Sequence, residues 1–227
     1  MKLRVNFYGN ESVFILFVVM SLTFYLFPQI DIATTQLFWS LNGGFFLGNE
    51  PVFQVLYWVF AKISVPIAML LLIYLSVGLM LDKYLQKSLS NFFMQYKSDA
   101  IFLLLLLVLG AVFIEGFLKG VWGRARPRDV LEFGGSMQFT PAWVISGQCL
   151  KNCSFMSGHA SFGFYFMAFG WVVKKKVWLL PGFILGLSLS VTRIVQGGHF
   201  LSDTVLTFFV VYLMAQLLSK MVYKEQF

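Results

Sequence analysis

Charge is scarce in this sequence. Asp, Glu, Lys and Arg make up 12% of the 227 residues, whereas a soluble domain carries about 25%. A chain this poor in charge cannot cover a soluble surface of its size, so most of it has to face lipid or other apolar segments. A small-residue cleavage site is also missing. None of the Ala-x-Ala type follows the first apolar run, which starts at Val13 behind Met1-Lys2-Leu3-Arg4, so that run is expected to stay as a span. No repeat or low-complexity linker divides the chain, and residues 1–227 read as one membrane domain. Histidine and cysteine number two each, which makes their positions informative.

Apolar residues are what the sequence has in abundance: 59% are hydrophobic and 19% aromatic, 27 of them Phe. Hydropathy predicts six spans near the roughly 20 residues that cross a bilayer: Ser12–Phe27, Ile63–Leu81, Asp99–Leu118, His159–Val173, Val177–Arg193 and Asp203–Met221. The expected fold is an all-α membrane protein of six transmembrane helices. Between the first two spans, Gln36–Trp39 and Val52–Phe60 are expected as interfacial helices in the first periplasmic loop, with Trp39, Tyr57 and Trp58 at headgroup depth.

The net charge is +7. In a soluble protein that would raise nucleic acid as a partner, but topology and an anion site account for most of it here. One side of the six-span layout holds Lys2, Arg4, Lys83, Lys87, Lys97, Lys174, Lys175, Lys176, Lys220 and Lys224, ten of the 17 Lys and Arg. The other holds Lys119, Arg124, Arg126, Arg128, Lys151 and Arg193. Positive residues favour the cytoplasm, so both termini are expected there and the second group on the far face, the periplasm if the host is a bacterial inner membrane. Both cysteines, Cys149 and Cys153, fall on that far side, where disulfides persist. Either a bridge or two buried thiols is compatible with their spacing.

Three clusters meet at the far face. Lys119-Gly-Val-Trp-Gly-Arg-Ala-Arg126-Pro127 closes the third span, Ser157-Gly158-His159 opens the fourth, and Thr192-Arg193 through His199 to Asp203 joins the fifth to the sixth. Lys119 and Arg126 share a helix face, about 20° off register, if the helix runs to Pro127. Glu115, one turn before Lys119, is placed to pair with it. Ser157-Gly158 and Gly197-Gly198 allow backbone amides close to a ligand, and two helix N-termini there suit an anion. With Lys119, Arg126 and Arg193, that anion is a phosphate. The basic run on its own spacing is equally compatible with an anchor of the span to headgroups.

Both histidines lie in these clusters. His199 and Asp203 are four residues apart on one helix face, so the carboxylate is expected to take one ring N–H and free the other nitrogen to attack. His159 then serves as general acid.

Lys119-x6-Arg126-Pro127, Ser157-Gly158-His159 and Arg193-x5-His199-x3-Asp203 together resemble the type 2 phosphatidic acid phosphatases (PAP2), the lipid phosphate phosphatase superfamily that shares its site with vanadium haloperoxidases. The resemblance implies a phosphohistidine on His199 with Asp203 its partner, and His159 protonating the leaving group. It further implies Lys119, Arg126, Arg193, Ser157 and Gly158 around the phosphate oxygens, with no metal and no cofactor. Two positions depart from the pattern: Met156 stands where Pro is usual and Thr192 where Ser is usual. Phe133–Phe155 is similar to bacterial lipid A phosphatases of the 4′ branch, while phosphatases of undecaprenyl diphosphate and of phosphatidylglycerol phosphate share the motifs. The implied partner is a membrane lipid phosphate, with no nucleic acid and no obligate protein partner. A lipid phosphotransferase would use the same phosphohistidine. A two-histidine, one-carboxylate metal site is disfavoured by three cations around the ion, and a transporter by the absence of an inverted repeat.

Overall fold

A computed structural model of the chain describes residues 10–84 and 95–223. Lys2, Arg4, Lys87, Lys224 and the side chain of Lys83, on which the expected orientation partly rests, lie outside them. The described residues form helices joined by turns, with two isolated bridges and no strand among them. In chain order the helices are α1 (Asn10–Leu26), α2 (Gln29–Gln36), α3 (Pro51–Lys62), α4 (Ser64–Tyr84), α5 (Lys97–Ala111), α6 (Lys119–Trp122), α7 (Gly158–Tyr165), α8 (Ala168–Val172), α9 (Leu179–Val195) and α10 (Leu201–Val222). A wide π-helical segment, Val112–Leu118, joins α5 to α6.

Four stretches are long and apolar enough to cross a membrane: Pro51–Met80, Lys97–Asp129, Lys176–Val195 and Leu201–Val222. A fifth arises if α1 and α2, bent by 82° at Pro28, count as one broken span. Six spans are therefore not found among the described residues. The expected span His159–Val173 is two short helices, α7 and α8, broken at Phe166–Met167 and buried within the bundle. The helix expected at Val52–Phe60 is found as α3, which continues past Ile63 into α4, and the two together make one apolar stretch long enough to cross a membrane. The helix expected at Gln36–Trp39 lies earlier, at α2. Only 6% of the most apolar window of Pro51–Met80 is buried in the protein, so lipid is the environment that matches its remaining surface.

The bundle closes around α7, which packs against α9, α10, α5 and α3. The α7–α9 contact needs glycine. A Cβ on Gly163 would lie 2.7 Å from the Cα of Gly186, and one on Gly182 would lie 2.1 Å from the backbone nitrogen of Met167. Small residues allow this approach where apolar lipid gives helices little other reason to associate. At one end of the bundle, Tyr223 Oη donates to Asp99 Oδ1 at 2.7 Å, tying the end of α10 to the start of α5. Lys97, Lys174, Lys175, Lys176 and Lys220 lie at this end by chain direction. At the other end α6, α9 and the starts of α7 and α10 converge.

Candidate active site

The helix that carries Lys119 stops at Trp122, where Gly123 turns left-handed (φ 53°), four residues before the expected end. A Cβ on Gly123 would meet the backbone of Gly147 at 2.9 Å, so glycine serves the turn and the neighbouring strand of loop together. Arg126 is extended (φ −80°, ψ 157°), so it shares no helix face with Lys119 and reaches the site from a loop instead. There Asn152 holds it: Nε donates to the Asn152 carbonyl at 2.8 Å and Nη2 to Oδ1 at 2.6 Å. Asn152 lies inside the loop closed by a Cys149–Cys153 disulfide, Cα–Cα 5.5 Å.

One cavity of about 470 Å³ is lined by Lys119, Arg126, Arg128, His159, Arg193 and His199, with Tyr57 and Glu115 among its other walls. Five of the eight expected site residues thus meet there. Lys119 is buried, and both Glu115 carboxylate oxygens accept from its Nζ at 2.8 and 2.7 Å, the pairing that the spacing predicts. Gly158 lines an adjoining apolar cavity of about 300 Å³. Ser157 is fully buried and lines neither cavity. Its Oγ accepts from Ala160 N at 3.3 Å, capping α7, and its N–H donates to Thr207 Oγ1 at 3.1 Å. These bonds use its amide and one lone pair of its hydroxyl to hold the helix, and leave the O–H as a donor.

His199 is fully buried, and its Nδ1 lies 2.6 Å from the Ser154 carbonyl. A carbonyl only accepts, so Nδ1 carries the proton and the neutral ring keeps its lone pair on Nε2. The expected partner, Asp203, stands 3.7 Å from Nδ1 and makes no hydrogen bond to it. Its Oδ2 instead accepts from Ser154 Oγ at 2.5 Å and from Phe200 N at 2.8 Å. Asp203 therefore holds Ser154, the residue whose carbonyl meets the ring, because helix start and loop both present donors nearer than the imidazole. Burial, and then Arg126, Arg193 and Lys119, hold the His199 pKa well below its ordinary range, which keeps the ring neutral.

Behind His199 lies a buried ionic cluster that sequence spacing does not reveal. Arg124, completely buried, donates from Nη1 to Asp203 Oδ1 at 2.5 Å and to Ser202 Oγ at 2.8 Å, from Nη2 to Asp31 Oδ2 at 2.8 Å, and from Nε to the Thr140 carbonyl at 2.8 Å. Asp31, on α2, also accepts from Ser202 N at 2.8 Å. Two carboxylates thus occupy the amides at the start of α10, and this helix end is not the free anion site expected of it. Gly197-Gly198 likewise makes room for side chains and not for a ligand. A Cβ on Gly197 would strike the Phe45 ring at 2.4 Å, and one on Gly198 would lie 2.2 Å from Arg193 Nη2.

His159 stacks on Tyr57, centroids 4.6 Å apart and planes at 15°, and its buried Nε2 has no hydrogen-bond partner. The Arg193 guanidinium lies 4.8 Å over the same Tyr57 ring. Tyr57, expected at headgroup depth, therefore lies between two site residues. Among the described residues no group of three or more His, Cys, Asp or Glu side chains is arranged to hold a metal ion.

The PAP2 superfamily profile matches residues 100–227. A protein of Francisella tularensis subsp. novicida (strain U112) named lipid A 4′-phosphatase is 31% identical over 209 residues, 89% of this chain and 90% of the relative. Proteins of the same name from Rhizobium leguminosarum and Rhizobium etli are each 29% identical over 198 residues, 81% of this chain and 83% and 75% of the relatives. No solved structure matches the chain.

Proposed function

The chain belongs to the PAP2 superfamily, and from that premise we propose that it removes the 4′-phosphate of lipid A through a phosphohistidine on His199. That it is a lipid phosphatase follows from the family and from its named relatives. The observation that supports the phosphohistidine is the meeting of His199, His159 and four cations on one cavity, with the His199 proton on Nδ1, while the 4′-phosphate of lipid A is taken from the names of the relatives.

In this mechanism His199 Nε2 attacks phosphorus as the bond to the lipid oxygen breaks, and His159 gives its proton to that oxygen. Lys119, Arg126 and Arg193 neutralise the charge gathering on the phosphoryl oxygens. Water then attacks phosphorus, His159 takes its proton, and phosphate leaves as His199 is restored. Ser157 and Gly158 contribute by starting α7, which carries His159 into the cavity. Lys97, Lys174–Lys176 and Lys220 at the opposite end of the bundle support a cytoplasmic placing of that end. The site then faces the periplasm from a bacterial inner membrane.

The test is phosphate release by purified protein in EDTA from lipid A, undecaprenyl diphosphate, phosphatidylglycerol phosphate and phosphatidic acid. Release from lipid A, abolished in His199→Ala, is expected. Release that needs an added metal, or an acceptor lipid, would replace this reading with a metal hydrolase or a phosphotransferase.

A further inference from the structure

Glu115 is out of place in a phosphate site. Among the described residues it is the one acidic side chain lining the basic cavity, and anionic substrates gain nothing from a carboxylate beside them. Its position is nevertheless tightly fixed. Both oxygens are held by Lys119, and a Cβ on Gly158 would lie 1.5 Å from Glu115 Oε1. Gly158 therefore makes room for this carboxylate as well as opening α7. The Glu115 side chain still keeps 48% exposure, so it has acceptor capacity to offer.

Among the described residues, Glu115 and His159 are the two that line both cavities, the basic one and the apolar one beside it. A lipid whose phosphate lies among Arg126, Arg193 and Lys119, with a chain in the apolar cavity, runs its ester oxygen past His159. The first atoms of its alcohol then lie against Glu115. The basic cavity, at about 470 Å³, is far larger than a phosphate, and the uncharged amides of Asn49 and Gln54 line it too. A polar headgroup fits that wall.

We infer that Glu115 selects the leaving group, accepting hydrogen bonds from hydroxyl or amide N–H groups of a sugar headgroup and rejecting a second phosphate at that position. A carboxylate only accepts, so donors on the headgroup are favoured and another anion is repelled. This rests on the phosphatase reading and adds to it the residue that favours a sugar headgroup over a lipid diphosphate.

The test compares wild type, Glu115→Gln and Glu115→Asp on an acylated glucosamine monophosphate and on undecaprenyl diphosphate. Wild type favours the glucosamine lipid. In Glu115→Gln the ratio of the two kcat/KM values moves toward the diphosphate by about tenfold, the worth of one hydrogen bond to a charged group. Glu115→Asp keeps the wild-type order. If Glu115 only aims Lys119, both substrates lose by one common factor and the ratio stays fixed, which overturns the inference while leaving the phosphatase reading intact. A wild type that releases phosphate from neither lipid would overturn both.

Discussion

His199 is a buried imidazole whose protonation the surroundings resist. Burial removes water from the charged form, and Arg126, Arg193 and Lys119 repel it, so its folded pKa lies below the ordinary 6.5. A nucleophile must be neutral, so the acidic limb of kcat/KM that reports free His199 is expected below pH 6.5. Arg126→Gln removes one repelling cation, lets the imidazolium form more easily, and moves that limb to higher pH while lowering the rate. A limb that stays put in the variant would mean that another group sets it. The same shift bears on stability: the unfolded chain binds the proton first, so stability is lost as pH falls from 6.5 toward the folded value. Tyr57 makes a second expectation at this scale. Its ring stacks on His159 and lies under the Arg193 guanidinium, so Tyr57→Phe, which keeps that ring, should turn over near the wild-type rate. Tyr57→Leu should lose about tenfold or more in kcat. Equal rates in the two variants would remove the ring from the site. The motif residues were legible because titratable groups are so rare in this sequence, whereas Tyr57 was one aromatic among many.

α7 and α9 illustrate what hydropathy reads and what it misses. The apolar runs were legible: α9 and α10 lie close to their predicted bounds, and α5 reaches its predicted end only through the π-helical segment Val112–Leu118. The break at Phe166–Met167 was not, since both sides of it are apolar and a window average cannot register a change of direction. Nor was the continuity of α3 with α4, because the charged Lys62 interrupts the apolar run between them. The purpose of the glycines was misread for a related reason: glycine in sequence signals only permission for close approach, and the structure decides what approaches. At Gly182 it is the backbone at Phe166–Met167, at the break itself. Gly182→Ala should therefore push α9 off that break and lower the melting temperature, at a cost of about 1–3 kcal/mol for an overpacked contact. Gly116→Ala, where a Cβ meets nothing within 4 Å, is the paired control and should melt at or above wild type. Similar melting of both variants would show that α9 has room to move.

Across the whole molecule, Arg124 is the point where three separated parts of the chain are joined. Its contacts reach α2 through Asp31, the loop at Thr140, and the start of α10 through Ser202 and Asp203. From Asp203 the connection continues through Ser154 to the His199 ring. Asp31 lies outside residues 100–227, the part that matches the family profile, and 171 residues from Ser202, so no local spacing pointed to it. Arg124 itself, inside the first motif, stood in the sequence only as one of six basic residues on the far side. The planar fork suits this position because it donates in several fixed directions at once, which an ammonium on a flexible stem does not. Arg124→Lys is accordingly expected to leave buried carboxylates under-satisfied, costing about 3 kcal/mol or more, and to melt well below wild type. Asp31→Asn is the gentler probe, since it keeps the shape and the Arg124–Asp203 pair but weakens the tie to α2. If that tie positions His199 through Asp203 and Ser154, the variant loses kcat with KM little changed, and the loss is the same for a lipid and for a small soluble phosphate ester. A variant that melts lower yet keeps the wild-type kcat would assign Asp31 to stability alone and leave the orientation of His199 to Ser154 and Asp203.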